Sequence, residues 1–130
     1  MKKTYVLCIA LICVVFICFW ESEKGQDIDY FAEINFRIRN LDFCTATVED
    51  ANILLYDSNG TLIQIIEFTN YRKSNLIYIR KSGDRIYFVQ SGSIDDESGI
   101  LFVNDESDRI LEGIKSLERV GGNSYRYSTR

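Results

Sequence analysis

Sixteen consecutive apolar residues, Tyr5 to Trp20, open this chain behind Lys2 and Lys3. A helix that is apolar on every side needs either a large protein core or a bilayer around it. A chain of 130 residues has room for one small domain and cannot supply such a core. The run therefore predicts a membrane-inserting segment, with a transmembrane helix over residues 4–20. Two lysines ahead of it set the N-terminus on the cytoplasmic side and everything beyond Trp20 outside.

Two fates of the leader share that orientation. A cleaved signal peptide needs small residues at the first and third positions before the cut. The run ends Val-Phe-Ile-Cys-Phe-Trp, bulky throughout, and Ser22 and Gly25 have Trp20 and Glu23 two positions upstream. No cysteine of the run follows a small residue, as a lipoprotein signal requires. A retained anchor is the favoured reading, with secretion after cleavage as the alternative. Seventeen residues span about 25 Å against a hydrocarbon core of about 30 Å, a shortfall that local thinning and lysine snorkelling absorb. Trp20 suits the outer interface.

Beyond Trp20 the composition changes. All nineteen acidic residues lie there, against thirteen basic ones. An acidic domain is a poor partner for a phosphate backbone, so no nucleic acid is expected. The chain contains no histidine, which excludes Ser/His/Asp and Cys/His catalysis and histidine-ligated zinc. Of four cysteines, Cys8, Cys13 and Cys18 lie in the leader, so the domain keeps Cys44 alone and forms no internal disulfide. The ordinary role of such a cysteine is a small buried hydrophobe; the sharper alternative is an intermolecular disulfide or a reactive thiol.

Residues 21–29 read as a polar tether, and residues 30–130 as a small extracytoplasmic domain. Tyr30, Phe31, Ile34, Ile38 and Leu41 recur at helical spacing, while Ile34, Phe36 and Ile38 alternate as in a strand. Length, and Asp27 and Asp29 near the start, favour a helix over 30–41. Asn-Gly at 59–60, between apolar runs, marks a hairpin joining 52–56 to 61–68. A second hairpin turns through 81–84, joining 76–80 to 85–90. A third return runs through 91–99 into 100–103.

Within the second hairpin, Leu76, Tyr78 and Arg80 share one face and Ile77 and Ile79 the other; Ile86 and Phe88 oppose Tyr87 and Val89. Both faces are apolar, so at least one must be covered. Ile110, Leu111, Ile114 and Leu117 form a helical stripe that Gly121-Gly122 would terminate. Tyr125 and Tyr127 suggest a short strand along the sheet edge. The expected fold is α+β: an N-terminal membrane-anchoring helix, then a roughly five-stranded antiparallel meander with one or two packed helices.

Two groups of residues are candidate sites. Asp95, Asp96, Glu97, Asp105 and Asp108 are weak calcium candidates, carboxylates flanking the strand 100–103 without the spacing of a calcium loop. Their ordinary reading is a solvated loop and a helix cap. Tyr71, Tyr78, Tyr87, Tyr125 and Tyr127, with Arg80 and Arg126, suggest a Tyr/Arg recognition surface. No catalytic residues and no cofactor are expected. The sequence reads as a membrane-anchored, non-enzymatic interaction or accessory module, bound to the membrane through residues 4–20 and open to a protein partner. The alternative is a small extracytoplasmic ligand-sensing or ligand-binding domain.

Overall fold

The computed structural model describes residues 27–93, 96–104 and 113–129. The chain divides into two compact units, Met1–Tyr30 and Phe31–Arg130. Of the first, the described residues 27–30 are helical. The expected membrane helix at 4–20 lies outside the described residues; among those described, no helix is long and apolar enough to cross a membrane.

Among the described residues one helix, α1 (residues 27–38), precedes eight strands. These are β1 (Thr45–Glu49), β2 (Asn52–Tyr56), β3 (Leu62–Glu67), β4 (Tyr78–Ser82), β5 (Arg85–Ser93), β6 (Asp96–Val103), β7 (Ser116–Arg119) and β8 (Ser124–Ser128). They form a single sheet in the order β3-β2-β1-β4-β5-β6-β8-β7, antiparallel at every step.

Local chemistry explains the turns. Gly60 sits at φ +77°, and Asp57 Oδ1 accepts the amides of Asn59 and Thr61 at 2.9 Å each, closing the β2–β3 hairpin. Gly83, at φ +61°, turns β4 into β5. Both hairpins stand where the sequence placed them. The third return is tighter than expected, because its strands run on to Ser93 and restart at Asp96.

The topology differs from a five-stranded meander. β1, reading Thr-Ala-Thr-Val-Glu, has too little apolar character to announce itself, yet it inserts between β2 and β4. Its Ala46 pairs with Leu55 on one side and Ile79 on the other. The expected meander would instead set β3 beside β4.

The expected C-terminal helix is also corrected. Leu117 and Arg119 belong to β7, and Gly121-Gly122 lies between β7 and β8. The strand at Tyr125 and Tyr127 is interior, between β6 and β7, rather than at the edge. Gly113, at φ +81°, interrupts any helical continuation into 116–119. Pairing with β8 then satisfies that backbone segment as a ladder. Ile110 and Leu111 lie outside the described residues.

Residues 31–38 of α1 cover one face of the sheet. Phe31 stacks on Phe88 of β5 at 4.9 Å between ring centroids, and Phe88 meets Phe102 of β6 edge-on at 5.2 Å. Phe31, Ile34 and Ile38 are fully buried. Burial of each such side chain contributes about 2–3 kcal/mol. Asn35 and Asn104 exchange amide hydrogen bonds at 2.9 and 3.2 Å, fixing the helix against the end of β6. At the helix C-terminus, Lys81 Nζ donates to the carbonyls of Arg39 and Leu41, a cation placed where the helix dipole is negative.

Candidate functional site

The opposite face carries Tyr78, Arg80, Tyr87, Tyr125 and Tyr127, five of the seven side chains that the sequence grouped as a Tyr/Arg surface. Direct pairing across the strands puts Arg80 beside Tyr87, Tyr87 beside Leu101 and Leu101 beside Tyr125. The neighbouring row places Tyr78 beside Val89, Val89 beside Gly99 and Gly99 beside Tyr127. Tyr87, Val89, Leu101 and Tyr127 form a buried cluster, packed around by Tyr78, Val103, Ile114 and Tyr125. Tyr87 and Tyr127 meet edge-on at 5.1 Å.

Glu97 is the centre of this face. It is only 2% exposed, and β6 brings it to the same side as Gly99 and Leu101. Oε1 accepts from Arg80 Nε at 3.1 Å, from Arg80 Nη2, and from the Tyr127 phenol at 3.2 Å. Oε2 accepts from the Tyr78 phenol at 3.0 Å. Arg80 lies over the Tyr87 ring, 3.8 Å from its centroid, adding a cation–π contact. The backbone of Glu97 is held as well: its amide donates to Thr129 Oγ1, and its carbonyl accepts from the Thr129 amide.

The electrostatics follow from this packing. Burial raises the Tyr127 phenol far above its ordinary value, and the Glu97 carboxylate adds to the shift. Tyr78 is raised for the same reasons, burial first, with the Glu97 hydrogen bond and charge behind it. Burial works against the Arg80 charge, but the hydrogen bond and charge of Glu97 outweigh it, and the guanidinium is held above its usual value. A carboxylate that already accepts four hydrogen bonds from charged and phenolic donors is committed as a clasp. It ties β4, β6 and β8 together.

The remaining sequence candidates are dispersed. Tyr71 lies between β3 and β4 and is exposed. Arg126 is turned to the helix-side face, beside Ile100, and approaches Glu118 at 3.8 Å. Of the calcium candidates, Glu97 faces Arg80 rather than solvent, and Asp96 pairs with Ser93 at the hairpin end. Asp95, Asp105 and Asp108 lie outside the described residues. Among the described residues no three Cys, Asp or Glu side chains stand together as a metal group would require. Cys44 is an exposed free thiol, so it is not the buried hydrophobe expected.

Among the described residues, two surfaces stand open to a ligand or partner. One is a groove of about 350 Å³ lined by Gln90, Ser98, Ser116, Glu118, Arg126 and Ser128. The other is β3, the outermost strand, where Leu62, Ile63 and Ile65 are 45%, 49% and 57% exposed. The sequence marks that segment as one strand of a hairpin, and only the strand order places it at the end of the sheet.

No family model, curated protein or solved structure matches the chain. The reading of function therefore rests on the geometry of these surfaces.

Proposed function

We infer that this protein is a non-enzymatic interaction module, tethered to a membrane by residues 4–20, with its β-sheet domain outside the cytoplasm. The observation that carries the interaction reading is the β3 edge. Three large apolar side chains are exposed on one strand, and among the described residues that strand has a neighbour on one side only, β2. Unpaired strand edges with apolar side chains accept further strands. The tether reading is supported by Lys2-Lys3 and the uninterrupted run Tyr5–Trp20. The commitment of Glu97, Arg80, Tyr78 and Tyr127 to one another supports the absence of catalysis on that face.

Protease treatment of intact cells expressing a C-terminally tagged chain tests the location, combined with mass analysis of the mature N-terminus. External loss of the tag with an intact leader is expected. A protected tag would overturn the topology, and a new N-terminus near residue 25 would make the protein a secreted one.

The groove at Ser98, Ser116, Arg126 and Ser128 favours a second reading, a small-ligand domain. Its hydroxyls and single guanidinium suit a small polar ligand. Ligand-dependent chemical-shift changes at Ser98 and Ser128, in a screen of small polar compounds, would favour that reading over the first.

A further inference from the structure

We propose that Asn59 is the acceptor of an N-linked glycan, carried at the tip of the β2–β3 hairpin. Modification there requires the domain to lie outside the cytoplasm, and so rests on the placement proposed above.

Asn59-Gly60-Thr61 is the one place in the chain where Ser or Thr follows an Asn by two residues. That spacing is the acceptor pattern for N-glycosylation, provided the residue between is not Pro. The same Asn-Gly also predicts a hairpin, because both residues tolerate a positive φ. The structure separates these two explanations. Gly60 takes a positive φ, +77°, but Asn59 does not; among the described residues Asp50 is the only non-glycine residue in that region. The turn therefore needs Gly60 and leaves position 59 open to other residues.

Nor does the turn use the side chains of Asn59 and Thr61. Asp57 closes it: Oδ1 accepts the backbone amides of Asn59 and Thr61, and the Asp57 carbonyl accepts the Gly60 amide at 3.1 Å. The Asp57 amide in turn donates to the Thr61 carbonyl at 3.0 Å. Among the described residues no hydrogen bond uses the Asn59 carboxamide or the Thr61 hydroxyl. Those are the two groups that the modification requires, the nitrogen that is glycosylated and the hydroxyl that a transferase recognises. Both residues are exposed, and a Cβ built on Gly60 between them meets nothing within 4 Å. An exposed loop tip of this kind takes a bulky substituent without displacing packed side chains.

In the transfer, Asn59 Nδ2 bonds to the anomeric carbon of an oligosaccharide carried on a lipid diphosphate. The bond from that carbon to the diphosphate oxygen breaks, and the proton lost from Nδ2 leaves with the lipid diphosphate. The cell's own oligosaccharide transferase supplies the catalysis.

Cell-free synthesis of the full chain with endoplasmic-reticulum membranes tests this, because those membranes hold both the lipid-linked donor and the transferase. A C-terminal tag with an acceptor sequence of its own reports translocation. Two size steps are expected, both removed by peptide N-glycosidase, which converts the modified Asn59 to Asp, a change that fragment masses place on the residue. One step should vanish in Asn59→Gln and in Thr61→Ala, and persist in Thr61→Ser, which keeps the hydroxyl.

A step from the tag alone, unchanged by Asn59→Gln, would overturn the proposal while the outward placement of the domain stands. The absence of both steps would overturn that placement, and the proposal with it.

Discussion

Tyr127 and Arg80 donate to the same oxygen of one buried carboxylate, Glu97 Oε1, at 3.2 Å from the phenol and 3.1 Å from Nε. They come from β8 and β4, strands that do not touch, and Glu97 on β6 joins them. The carboxylate therefore does what backbone pairing cannot, linking strands across the width of the sheet.

Removal of that carboxylate should be expensive. Glu97→Ala leaves a guanidinium and two phenols facing an apolar cluster without an acceptor. Arg80 is about one-third exposed, so solvent softens the loss to about 2–3 kcal/mol. Tyr78→Phe and Tyr127→Phe, which each remove one donor, should cost about 1 kcal/mol apiece. Urea denaturation monitored by tyrosine fluorescence reads all three. A Glu97→Ala loss below about 0.5 kcal/mol would show that the cluster contributes little beyond its packing.

The raised phenols make stability depend on alkaline pH. Tyr127 and Tyr78 hold their protons more tightly in the folded state than in the unfolded chain. Their contribution is therefore complete below the unfolded phenol value of about 10 and is lost progressively as pH rises above it. The melting temperature should stay level from pH 8 to about 10 and fall beyond, less steeply in Tyr127→Phe. An identical fall in wild type and variant would assign the effect to other groups.

Two glycines should respond to alanine for different reasons. At Gly99 an added Cβ would lie 2.0 Å from the Phe88 carbonyl oxygen, within the backbone of the neighbouring strand at its bulge. Gly99→Ala should cost more than about 2 kcal/mol, because backbone must shift to accept it. At Gly60 the Cβ meets nothing within 4 Å, and only the positive φ opposes it. Gly60→Ala should cost about 1 kcal/mol. Thermal melts of the pair decide the ranking; a reversed order would contradict the β5–β6 register.

On the helix, two phenylalanines separate packing from exposure. Phe31 is fully buried against Phe88, and Phe31→Ala should destabilise by about 3–5 kcal/mol. Phe36 is 68% exposed, under the Arg39 guanidinium at 4.9 Å, and Phe36→Ala should change stability by less than about 0.5 kcal/mol. Equal losses would mean that the helix presents a different face to the sheet.

The features legible in advance were local ones. Asn59-Gly60 and Gly83 marked their hairpins because a positive φ is a property of a few adjacent residues. The alternation of Tyr78 and Arg80 against Ile79, and of Tyr87 against Phe88, assigned both faces of β4 and β5 correctly. The helix was recognisable from Phe31, Ile34 and Ile38. Glu97 was not recognised as a centre, since Asp95-Asp96-Glu97 resembles a solvated turn. One signal was available: Glu97 continues the i, i+2 series of Gly99 and Leu101, which Asp96 does not.

By itself, then, the sequence determined the apolar leader and its charge asymmetry, the exclusion of histidine chemistry, the helix and the turn positions. Each depends on residues within a few positions of one another. The tertiary structure decided which strands are neighbours. It inserted the weakly apolar β1 between β2 and β4, converted Leu117 from a helical stripe to an edge strand, and left Leu62, Ile63 and Ile65 at the opposite edge. It also turned Tyr78, Tyr127 and Arg80 from an expected surface into a partly buried clasp around Glu97. The physical reason is that strand order and burial depend on contacts between distant segments, which compete for the same faces, and no local pattern encodes which of them prevails.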